Sequence, residues 1–186
     1  MKNMIKIASI AAVALALTQS TQATPISGNI GFTGGVTYNT AAAGTATEVT
    51  SWIAPQVTLD SGAFSSVASG TAATFAPGNW TFNSGPVSSF WSVGGFTFNL
   101  VASSITSQVA GPNGFVVVNG WGTVSGNGYS GNLSWSFTSQ DPQSGSNPST
   151  WTFSASSATV PDGGATVMLL GLALSGAALL KKKLTA

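Results

Sequence analysis

The sequence predicts an all-β fold, an antiparallel β-sandwich or jelly roll, preceded by an N-terminal signal helix and followed by a C-terminal transmembrane helix. Three observations lead there. Period-two alternation recurs through the middle of the chain, turn-forming clusters separate the alternating runs, and the two apolar runs without alternation lie at the ends.

The alternating runs are Ile30-Gly31-Phe32, Trp80-Thr81-Phe82, Phe96-Thr97-Phe98-Asn99-Leu100, Leu133-Ser134-Trp135-Ser136-Phe137 and Trp151-Thr152-Phe153. Apolar side chains exchange with Ser, Thr and Asn, as in strands that bury one face. The aromatic residues of these runs are therefore expected in the core. Between them, Pro77-Gly78, Ser84-Gly85-Pro86, Gly111-Pro112-Asn113-Gly114 and the stretch from Asp141 to Pro148 supply turns. Many short strands with frequent turns favour a sandwich or jelly roll over a closed barrel.

Phe115 to Val124 reads in one of two ways. Asn119-Gly120 accepts the positive φ angles of a type I′ turn, which would make the segment a tight hairpin, and the alternative is one long strand bulged at Gly120. The Ala- and Thr-rich stretch from Thr40 to Thr47, and Ser61 to Thr74, read as weakly apolar loops or edge strands.

The N-terminal segment has Lys2 and Lys6, an apolar run from Ile7 to Leu17, and a polar stretch ending in Thr21-Gln22-Ala23. That is the three-part build of a secretory signal peptide, with cleavage expected between Ala23 and Thr24. The apolar run is short of the roughly 20 residues a bilayer span requires. The expected organisation is thus a signal peptide over 1–23, a secreted β domain over 24–159 and a tail over 160–186.

In the tail, Val160-Pro161-Asp162-Gly163-Gly164 precedes an uncharged apolar helix over 165–180 and the cluster Lys181-Lys182-Lys183. At 1.5 Å per residue the apolar run spans roughly 24 Å, a marginal membrane crossing. The lysines would stay on the cytoplasmic side and leave the preceding domain across the membrane. This order of motif, apolar helix and basic cluster resembles the sorting tails of exosortase substrates, the PEP-CTERM proteins, and most closely the VPDSG-CTERM variant. Gly163 stands where that variant carries Ser, and Lys where Arg is commoner.

The resemblance implies export from a Gram-negative cell and transient anchoring in the inner membrane with the domain in the periplasm. An exosortase-like membrane transpeptidase would then cut near the proline motif and pass the protein to the cell surface or medium. It also implies an association with exopolysaccharide and biofilm matrix.

Composition excludes several chemistries. All five lysines lie in the two terminal segments, and the chain has no Arg, His or Cys. The domain between them carries no cation, so a nucleic-acid partner, which needs Lys and Arg to displace counterions, is not expected. General-base histidine, thiol nucleophiles, zinc ligands and disulfides are excluded by type, and no cofactor or metal is expected. The four acidic residues are Glu48, Asp60, Asp141 and Asp162. Asp141, in Gln140-Asp141-Pro142, is a turn former.

Three functions remain in competition. The first is a non-enzymatic surface or extracellular-matrix protein, with self-association expected because no Lys or Arg guards the sheet edges and Phe115 to Val118 is strongly β-forming. The second is a module binding neutral carbohydrate. Its candidates are Trp91, Trp121 and Tyr129, which fall beside Gly-rich turns or outside clean alternation and are expected to be exposed. The third is a glycoside hydrolase using Glu48 and Asp60, which requires two carboxyl groups about 5 to 10 Å apart.

Overall fold

The structure is a computed structural model and describes residues 23–75, 78–111, 113–141 and 149–157. The signal segment up to Gln22, the sorting motif, the apolar helix over 165–180, Lys181 to Lys183 and the turn over 142–148 lie outside the described residues.

The described residues form ten strands: β1 (Thr24–Pro25), β2 (Asn29–Tyr38), β3 (Glu48–Asp60), β4 (Thr74–Phe75), β5 (Trp80–Thr81), β6 (Val87–Val93), β7 (Phe96–Val109), β8 (Phe115–Gly126), β9 (Tyr129–Gln140) and β10 (Ser149–Ser156). They form one sheet in the order β4-β6-β7-β8-β9-β10-β2-β3-β5, and β1 adds a short parallel pairing to the start of β9. Every other pairing is antiparallel.

The sheet is curled until its two halves face each other across the core, a sandwich-like all-β architecture. The segment after β3 fastens the curl. Gly70 donates to the Val57 carbonyl at 2.8 Å and Ala73 to the Pro55 carbonyl at 2.9 Å, while Thr74 and Phe75 pair with Ser92 and Trp91 of β6. One short stretch thus bonds to strands near both ends of the sheet. Around β5 the same happens again: Trp80 pairs with Val49 of β3, and the Ser103 N–H of β7 donates to the Ser84 carbonyl at 3.1 Å.

Inward positions carry the aromatic half of the alternation. Trp80, Phe82, Phe96, Phe98, Trp135, Phe137, Trp151 and Phe153 are all buried, as their pattern predicts. They interlock with residues of the less regular strands: Trp151 meets Trp52 and Phe75 edge-on, each at 5.0 Å, and Trp91 stacks on Phe98 at 5.3 Å. Such rings bury about 150–250 Å² each, so a chain without disulfides is held by aromatic packing.

The hairpin expected at Asn119-Gly120 is not formed. β8 runs unbroken from Phe115 to Gly126 and is paired residue by residue with β9. The turn sits eight residues later, where Asn127 and Gly128 have φ of 50° and 81° and join Gly126 to Tyr129. The bulge expected at Gly120 in the long-strand alternative is corrected too. Register shifts fall instead on β7, between Leu100 and Ala102 and between Ile105 and Ser107.

Gly120 has a different purpose. A Cβ there would clash with the Ala102 carbonyl and stand 2.5 Å from the Trp135 ring. Its missing side chain makes room for that indole. Phe115 to Val118, the strongly β-forming segment, is paired with β7 on one side and β9 on the other.

Candidate functional site on the outer sheet face

Glu48 and Asp60 are the first and last residues of β3. Because β3 pairs Val49 with Tyr38 and Asp60 with Ile30, its bulges included, its ends lie roughly 30 Å apart at 3.3 Å per paired residue, far beyond the reach of a glycosidase pair. The hydrolase expectation is corrected on that geometry. Asp141 is committed to structure: both its carboxylate oxygens accept the Ala43 N–H, at 2.8 and 3.0 Å, and Oδ1 also accepts from Ser149 Oγ at 3.1 Å.

Trp91 is fully buried, at 0 % exposure, which corrects its expected place on the surface. The cause is local. Ser89 has φ of 52° and the β6–β7 register shifts between Val87 and Trp91, so Phe90 and Trp91 both turn inward in succession. Trp91 fell outside clean alternation because the strand is irregular there.

Tyr129 is half-buried and packs against the core, 6.5 Å from Phe96. It closes the interior beside the β8–β9 turn more than it faces solvent. Trp121 alone of the three candidates is plainly exposed, at 47 %. It points outward from β8 between Ala102 on β7 and Ser134 on β9, two small neighbours.

Trp121 stands at the margin of three depressions on the sheet, two of which share Asn119 and Gly120. One of about 170 Å³ is bounded by Ala102, Ser104, Asn119 and Trp121. A second of about 340 Å³ runs from Asn119 over Ser134 and Ser136 to Ser154 and Ser156. A third of about 240 Å³ lies along the same face among Thr33, Thr138, Thr150 and Thr152. Strand register explains the arrangement, since Ser136 pairs with Ser154, and Thr138 with Thr152, which in turn pairs with Thr33. These residues are the polar half of the alternation. Sequence reasoning passed over them because an outward Ser or Thr in a strand carries no signal beyond solvation.

One phenol is displaced electrostatically. Burial pushes the Tyr38 hydroxyl well above the ordinary tyrosine range, the nearby Ser139 offsets part of that, and the Asp141 charge adds to it. The hydroxyl finds no hydrogen-bond partner of good geometry, and neither do the buried indole N–H groups of Trp52, Trp80, Trp91 and Trp135.

The tail matches a family model described as the VPDSG-CTERM motif, over residues 159–184. That match agrees with the motif, apolar run and lysine cluster read from the sequence, and implies export, sorting by an exosortase-like enzyme, and a surface or extracellular destination. No curated protein and no solved structure matches the chain.

Proposed function

We propose that the chain is an exported, non-enzymatic surface or extracellular-matrix protein whose β domain is released from a temporary inner-membrane anchor by an exosortase-like transpeptidase. The observation that carries this reading is the ordered tail, with its matched motif over residues 159–184. In this sequence of events the signal segment exports the domain, the apolar run over 165–180 holds it at the membrane facing the periplasm, and cutting near Pro161 frees it.

The composition of the domain supports a role in binding and structure. Residues 24–159 hold no Lys, Arg, His or Cys, and the Glu48 and Asp60 carboxylates are separated by the length of a strand. What remains for recognition is hydroxyls, amides and rings, which suit an uncharged matrix polymer such as exopolysaccharide.

Intact mass spectrometry of the protein recovered from its producing cells tests the sorting step. The expected species begins at Thr24 and ends within or shortly before 160–164. A chain still ending at Ala186 would overturn processing, leaving the tail as a permanent anchor.

A further inference from the structure

We propose that the outer face of β7, β8, β9 and β10, centred on Asn119 and Trp121, binds a segment of neutral polysaccharide. The inference deepens the reading of the domain as a non-catalytic exported protein and rests on it for the kind of partner.

Shape comes first. The depressions of about 170 and 340 Å³ both reach Asn119 and Gly120, and together they cross four adjacent strands. Strands about 4.8 Å apart make that path roughly 14 Å long, room for more than one sugar ring. The joint volume falls within the range of small-ligand sites, about 300–1,000 Å³. The 240 Å³ depression over β9, β10 and β2 lies on the same face two residues further along β9 and β10, a spacing that suits a chain better than a single sugar.

Chemistry then selects the ligand. No charged side chain lines any of the three depressions. An anionic polymer would find no cation, and a cationic one would lose hydration without a carboxylate in return. Sugar hydroxyls, in contrast, can exchange hydrogen bonds with Ser, Thr and Asn, and the apolar face of a pyranose can lie on the open indole of Trp121.

Hydroxyls and an amide line the larger depression. Hydroxyls nearby are committed to the protein, Thr33 Oγ1 donating to the Trp151 carbonyl at 2.9 Å and Ser103 Oγ meeting Ser84 Oγ at 2.9 Å. The side chains of Asn119, Ser134, Ser136, Ser154 and Ser156 line the larger depression and offer it amide and hydroxyl groups. A surface meant to be covered by a protein would carry an apolar centre; here a single indole stands among hydroxyls.

The test is a titration of the full-length chain, held in a non-glycosidic detergent, with cellohexaose, maltohexaose and the N-acetylglucosamine hexamer. Tryptophan fluorescence and calorimetry report binding, with polygalacturonate as the anionic comparison. Saturable binding of at least one neutral hexamer is expected, weakened about tenfold or more by Trp121→Ala, as for an anchoring aromatic at a contact centre. Trp121→Phe should retain most of the affinity and Asn119→Ala should lose part of it. Thermal midpoints should be unchanged in all three variants, because these side chains point away from the core. No saturable signal with any of the neutral hexamers, equal affinity in Trp121→Ala, tighter binding of polygalacturonate, or a Trp121-dependent dimer in sedimentation would each overturn the proposal. A C terminus still ending at Ala186 would defeat the sorting step and leave this result standing, so the two failures are separable.

Discussion

Asp141 accepts the backbone N–H of Ala43 through both carboxylate oxygens, at 2.8 and 3.0 Å, across 98 residues of sequence. The pair joins the 3₁₀ turn Ala43–Thr45, which follows β2, to the end of β9. Gln108 on β7 reinforces the junction, its side-chain N–H donating to the Ala46 carbonyl at 2.6 Å. Ala43 and Ala46 are buried beneath these bonds, so the turn acts as a lid over one end of the curled sheet.

Removing the acceptor should therefore loosen that end. Asp141→Ala leaves the Ala43 N–H without its partner at a buried residue, a loss of about 1–3 kcal/mol, while Asp141→Asn keeps one acceptor oxygen and should lose less. Urea denaturation of the two variants checks the order. Equal stability of Asp141→Ala and the parent would show that the turn is held by packing alone.

Gly120 is a second point where a small change should have a large effect. An added Cβ meets the Ala102 carbonyl and the Trp135 ring, and neither can move without disturbing a paired strand. Gly120→Ala should destabilise by roughly 2 kcal/mol or more, the range of overpacked cores. Gly85, with nothing within 4 Å of an added Cβ, is the control, and Gly85→Ala should stay within about 0.5 kcal/mol. Comparing thermal midpoints of the two variants decides the point.

What the sequence revealed follows from where strands are regular. In the five alternating runs the inward residues could be named in advance, because period two maps directly onto burial. β3 and β6 could not be read that way: Ala54 at φ 45° and Ser89 at φ 52° break the period, so Trp52 and Trp91 lost their cue. The turn was ambiguous for another reason. Asn119-Gly120 and Asn127-Gly128 are the same dipeptide, and the choice between them is made by pairing with β7 and β9, which no local pattern encodes. At the candidate site only Trp121 was visible, since the serines beside it look like any solvated strand face.

The turn assignment gives a paired prediction. Asn127 holds a left-handed conformation, and its side-chain amide donates to the Gly94 carbonyl at 2.9 Å, linking the β8–β9 turn to the β6–β7 turn. Asn127→Ala forfeits that bond and places a residue that disfavours positive φ, for a loss of about 1–2 kcal/mol. Asn119→Ala, on an extended and outward position, should change stability by no more than about 0.5 kcal/mol. Chemical denaturation with the opposite ranking would return the hairpin to Asn119-Gly120.

Alkaline titration probes the interior directly. Residues 24–159 contain no Lys, Arg, His or Cys, so no amine, guanidinium, imidazole or thiol side chain contributes to an alkaline transition there. Burial holds the Tyr38 hydroxyl protonated in the folded state above the pH at which an unfolded tyrosine, near 10, releases its proton. In that window the unfolded chain binds fewer protons than the folded one, so stability is complete below about pH 10 and falls above it, by about 1.4 kcal/mol per pH unit. Tyr38→Phe removes the group and should flatten the dependence. At neutral pH the variant should be as stable as the parent or slightly more so, because the hydroxyl it deletes is buried without a partner. Denaturation midpoints measured from pH 8 to 12, with phenolate absorbance followed in parallel, test both halves, and an unchanged alkaline slope in Tyr38→Phe would assign the effect elsewhere.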